Sequence, residues 1–124
     1  MNDSAADAVL ARLPDLQRCH VERRATVLDS GLLEEEVMEA CRGYVAQDDD
    51  VLTHADDPER FSERTRAALA WTHASLWDPT AAGDALWERL HASFTEAQLV
   101  QLFYYVQWEI GNRAWLGTLG PLLR

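Results

Sequence analysis

The stretch Thr95 to Trp115, TEAQLVQLFYYVQWEIGNRAW, decides the fold. Leu99, Leu102, Phe103, Val106 and Ile110 recur at spacings of three and four, which places them on one face of a helix. Tyr104, Tyr105, Trp108 and Trp115 make a second apolar stripe on another face. Thr95 and Gln98 stand where a capping box of the Thr-x-x-Gln type opens a helix. A helix apolar on two faces is covered on two faces. A chain of 124 residues has few layers with which to do so, and packing of this helix between subunits is the economical expectation. Tyr104, Trp108 and Trp115 are placed at that contact because tyrosine and tryptophan are enriched in interfaces. A central helix inside a monomer is the alternative.

The same periodicity continues upstream, with no period-two alternation and few β-branched residues, so the chain reads as all-α. A first helix near Ser4 or Asp7 carries Val9, Leu10, Leu13 and Leu16, kinked or divided by Pro14. Cys19, Val27 and Leu28 continue the pattern to Gly31, a left-handed C-cap. Glu34, Glu35 and Glu36 suit the positive end of a helix that runs to about Ala46. Residues 47–60, QDDDVLTHADDPER, have no apolar period and read as a solvated loop. They lack the alternating ligands and the glycine of a calcium loop. A helix capped by Ser62 carries Leu69, Thr72 and Leu76 and stops at Asp78-Pro79, and a short helix follows over Thr80 to Ala92.

Length and a hydrophobic fraction of 48% fit one globular domain over residues 1–124. Twenty-one acidic residues against eleven basic ones give a net charge of -10, which disfavours nucleic acid and anionic lipid as partners. Every cation is arginine, so a Schiff-base lysine is excluded. Cys19 and Cys41 have neither CxxC nor zinc-ligand spacing, and no metal or cofactor is expected. The start MNDSAADAVLAR carries Asp3 and Asp7 where a secretory leader would be positive, and the most apolar stretch falls short of a membrane span. A cytoplasmic protein with reduced thiols is the expectation.

The runs FSERTRAALAWTHASLWDP and LWERLHASFTEAQLVQLFYYVQWEIGNR resemble the carboxymuconolactone decarboxylase and alkylhydroperoxidase D-like (AhpD-like) family. The resemblance falls on Phe61 to Arg64, Ala67 to Trp71, Pro79, Phe94 to Glu96 and Asn112-Arg113. With Ala25, Gly31 and the following glutamates it extends over roughly residues 16–115. It implies an AhpD-like bundle of about five to six helices and a homo-oligomer, commonly a trimer or hexamer. The peroxidase branch of that family uses a Cys-x-x-Cys-x-x-x-His motif. Counting back from Gly31 places its first cysteine at Leu16, its second at Cys19 and its histidine at Arg23. Leu16 cannot form a disulfide and Arg23 cannot accept a proton, so the two-cysteine site is degenerate.

Cys19 is the candidate nucleophile, because His20 and Arg23 can favour its thiolate; an inert buried cysteine is the competing reading. Arg23 can clamp a carboxylate through its planar fork, or pair at the surface with Glu22 or a nearby acid. His73 stands where the family often has glutamate. In the resembled fold its helix lines one cavity with that of Cys19, which makes His73 the candidate acid or base. Trp71 is placed with Arg23 as a substrate-binding residue. Glu109, on an otherwise aromatic face, needs a partner, and Arg113 one turn on is the expected one.

Three functions stay open: a divergent oxidoreductase or decarboxylase-like enzyme with a remodelled pocket around Cys19, Arg23 and His73; a non-catalytic module for a small organic acid or hydrophobic ligand; and a single-cysteine redox sensor.

Overall fold

The computed structural model describes residues 10–28 and 31–119, the side chains of Leu28 and Leu119 aside. These residues are all-α, as expected. The helices are α1 (Pro14–Leu28), α2 (Glu35–Val45), α3 (Asp49–His54), α4 (Glu63–Trp77), α5 (Asp84–Ser93) and α6 (Glu96–Leu119), with a 3-10 turn at Pro79–Ala81. The expected helix start near Ser4 or Asp7 lies outside the described residues. Pro14 occupies the first position of α1, where a missing N–H goes unused. Gly31 has φ +73°, a left-handed conformation that glycine adopts without strain.

The caps follow the sequence. Ser62 Oγ accepts from Thr65 N at 3.3 Å to open α4. At the start of α6, Thr95 N donates to Gln98 Oε1 at 2.9 Å, and Gln98 N donates to Thr95 Oγ1 at 3.2 Å. Together these two bonds satisfy donors that the first turn would otherwise leave open.

The core lies where α2 and α4 meet each other and α6, with α5 closing against α4 and α6. Val37, Ala67, Ala68, Leu69, Leu90, Leu102, Tyr105 and Val106 are sealed from solvent there. The alanines of α4 let its neighbours approach closely, and the large side chains come from α6 and α5. Arg64 fastens three segments: it donates to Glu34 Oε1 at 2.8 and 3.0 Å and to the Ser93 carbonyl, and it lies over the Phe94 ring.

Two sequence readings are corrected. Residues 47–60 are not a plain loop but contain α3. Asp48 caps α3 by accepting from Asp50 N at 2.9 Å and Val51 N at 3.4 Å, and Val51 is buried. One apolar residue and one cap suffice for a helix too short to show a period. Gly43 makes room for it, since a Cβ there would stand 2.8 Å from Val51 Cγ2. The helix expected from Thr80 starts only at Asp84, because Pro79 begins a separate 3-10 turn.

The two faces of α6 also divide differently from the sequence reading. Tyr105 belongs to the core rather than to the second stripe. Trp108 and Trp115 are half-buried along α1 of the same chain, and Tyr104 is 68% exposed. Part of the second face is therefore covered without another subunit.

Candidate functional site

Helix α1 lies antiparallel along α6. Gln101 Nε2 donates to the Val27 carbonyl and Gln98 Nε2 to the Leu32 carbonyl, while seven residues before Val27 the chain has reached the far half of α6. There the His20 ring stacks on Trp108 with centroids 4.8 Å apart and meets Trp115 edge-on at 6.1 Å. Between these attachments the two helices leave a groove of about 710 Å³, a size suited to a small organic molecule.

The groove's walls come from one face of each helix. Leu16, Cys19, His20, Arg23 and Val27 repeat at three and four spacing on α1, joined at the edge by Glu22. Tyr104, Gln107, Trp108, Gly111, Asn112 and Trp115 do the same on α6. A Cβ on Gly111 would meet nothing within 4 Å, so the floor is open at that point. Asn112 is 8% exposed; its Oδ1 accepts from Trp115 Nε1 at 3.0 Å, and its amide nitrogen has no partner among the described residues.

The structure brings Cys19 and Arg23 into this groove and leaves His73 and Trp71 out of it. Cys19 is exposed, against the alternative of an inert buried cysteine. Arg23 has no ion pair among the described residues; the expected surface pair with Glu22 does not form.

His73 is exposed on α4, with Nδ1 2.6 Å from the Tyr44 hydroxyl of α2. Burial holds the Tyr44 phenol above its ordinary value. The expected approach of His73 to Cys19 is therefore not found, because among the described residues the groove is walled by α1 and α6. Trp71 lies in an aromatic cluster, 4.3 Å from the Phe103 ring and 5.6 Å from that of Trp87. Its indole nitrogen is buried without a partner. The residue that does accompany Cys19 is His20. The signal was the 16, 19, 20, 23, 27 spacing, which aligns His20 with Cys19 and Arg23 once α1 is a helix.

A second group of polar residues lies on the core side of α6, with Glu109 and Tyr105 buried and Arg42 half-exposed. Glu109, only 5% exposed, takes Arg42 of α2 as its partner, with Nε 3.4 Å from Oε1. The expected partner Arg113 is exposed elsewhere, because α6 turns Glu109 toward α2. Tyr105 lies close enough to both to feel their charges, yet its buried hydroxyl has no hydrogen-bond partner of good geometry. Burial first, then Glu109, raise that phenol against the opposing pull of Arg42.

Cys41 adjoins this group. Thr72 Oγ1, which donates to the Ala68 carbonyl at 2.8 Å, also contacts Cys41 Sγ at 3.3 Å. Burial pushes the Cys41 thiol up to about 12, with Glu109 adding to the effect and the Thr72 contact opposing it. Cys41 is thus a packing residue, and Cys19 is the chain's one accessible thiol. No cluster that could hold a metal occurs among the described residues, and no helix there is long and apolar enough to cross a membrane. Comparisons with models of known protein families, with curated proteins and with solved structures found no match for this chain.

Proposed function

We propose that this chain is a divergent, cytoplasmic, homo-oligomeric relative of the carboxymuconolactone decarboxylase and AhpD-like proteins, whose α1/α6 groove takes a small molecule beside a single reactive thiol. One observation carries the reading. The three positions that the resemblance assigns to the family motif, Leu16, Cys19 and Arg23, all line one groove. With leucine at the first of them and arginine at the last, the groove has neither a resolving thiol nor the motif's proton acceptor.

Binding, with one-thiol chemistry at Cys19, is therefore favoured over a dithiol peroxidase cycle. In that chemistry the Cys19 thiolate attacks the outer oxygen of a hydroperoxide. The O–O bond breaks, an alcohol leaves, and sulfenic acid remains on the sulfur. A thiol from outside the chain then forms a mixed disulfide with loss of water. His20, at the same groove, is the adjacent group for proton transfer.

The test is mass spectrometry after cumene hydroperoxide, with dimedone to trap sulfenic acid. One adduct at Cys19, no internal disulfide and negligible turnover with a dithiol reductant are expected. Rapid dithiol-driven turnover abolished by Cys19→Ser, or the absence of any Cys19 adduct, would overturn the reading.

A further inference from the structure

The chemistry of the groove's two walls narrows the class of molecule it takes. We infer that the α1/α6 groove binds a flat, conjugated monocarboxylic acid, with its carboxylate on Arg23 and Asn112 and its body against Trp108. This rests on the groove being a small-molecule site and specifies the ligand.

Two donors in the groove have no hydrogen-bond or ion-pair partner among the described residues: the Arg23 guanidinium and the amide nitrogen of Asn112, a residue more than nine-tenths buried. A planar guanidinium and an amide N–H₂ match the two oxygens of a carboxylate. In a chain of net charge -10, an arginine with no ion pair among the described residues is notable, since carboxylates of its own abound to neutralise it. Leu16, Val27, Tyr104, Trp108 and Trp115 supply an aromatic and aliphatic surface beside Cys19, Glu22 and Gln107, and one face of the Trp108 ring stacks with His20 at 4.8 Å. Rings of this kind favour a flat partner. Glu22 also lines the groove and disfavours a second carboxylate, which favours a ligand with one acid group.

The probe is 2-naphthoate, compared with neutral 2-naphthamide and with 2,6-naphthalenedicarboxylate. Binding is read by quenching of tryptophan fluorescence and by protection of Cys19 from iodoacetamide. 2-Naphthoate should quench and protect saturably, with the amide and the diacid weaker by on the order of tenfold or more. Arg23→Gln, an exposed position that folding tolerates, should reduce 2-naphthoate to the level of the amide. Arg113→Gln should leave it unchanged.

Equal affinity for the amide and the acid, with no effect of Arg23→Gln, would overturn the carboxylate assignment while leaving the groove as a site for neutral ligands. Failure of all three probes to protect Cys19 would overturn the ligand class and the small-molecule groove together. Asn112→Ser, which keeps a short polar side chain, checks the second donor. It should weaken 2-naphthoate more than 2-naphthamide, and equal weakening of the two would overturn the role of Asn112.

Discussion

Replacing Arg42 by methionine should destabilise the fold through Glu109, which would then be buried without a counter-charge. The Arg42 Nε lies 3.4 Å from Glu109 Oε1. At that separation, with an effective dielectric of about 20, the attraction is about 5 kcal/mol. The Glu109 side chain is 7% exposed but that of Arg42 is 45% exposed, so water screens the pair and the figure falls to roughly 1 to 3 kcal/mol. For a domain of this size that is a drop in Tm of roughly 5 to 10 °C. The assay is urea unfolding of the wild type, Arg42→Met, Glu109→Gln and the double variant. The double variant should recover most of the loss, because it removes the buried charge together with its partner. Additive losses, with a coupling within about 0.5 kcal/mol of zero, would refute the argument that these two groups stabilise each other.

Three other outcomes follow from the same geometry. Tyr105→Phe should leave the Tm unchanged or raise it, since the hydroxyl is buried without a partner and removing it deletes a desolvation cost; a loss of more than about 1 kcal/mol in urea unfolding would indicate a bond that the geometry lacks. At pH 8 one thiol per native chain, Cys19, should react with Ellman's reagent, and Cys41, with its thiol pushed up to about 12, should react only in denaturant; two equivalents from the native chain would contradict that burial. Sedimentation at micromolar concentration should show a trimer or larger assembly that Trp108→Asp dissociates, whereas a wild-type species of 14.0 kDa would remove the proposed oligomer.

The fold was legible where local chemistry and burial agree. Thr95 with Gln98 and Ser62 before Thr65 each pair a cap with a long apolar period, and α6 and α4 begin where those caps stand. Helix α3 was not legible, because six residues with one buried valine cannot display a period, and the five aspartates in and around it look like solvated chain. The site was half legible. Spacing along one helix puts Cys19 and Arg23 together, since α1 alone decides it. Whether His73 reaches them depends on how α4 rotates against α2 and α6, a matter of packing across four helices that no local pattern encodes. Glu109 shows the same limit: a partner one turn along α6 is what sequence offers, while the helix's rotation turns the carboxylate toward α2.

The placement of α1 has a kinetic side. This helix rests principally on α6, and outside the groove it presents Val21 to solvent. The other helices share a common core, which α1 enters only at Val27 among its described residues. A segment with one neighbour opens before the rest of a domain does, in a sub-global event that costs less than unfolding. The groove's two walls therefore belong to different cooperative units, one as durable as the core and one that detaches on its own. A molecule held between them joins the two units, and the amide protons of α1 would then exchange as slowly as their occupied groove allows. Occupancy is thereby written into the exchange rates of a helix, with no change needed in its shape.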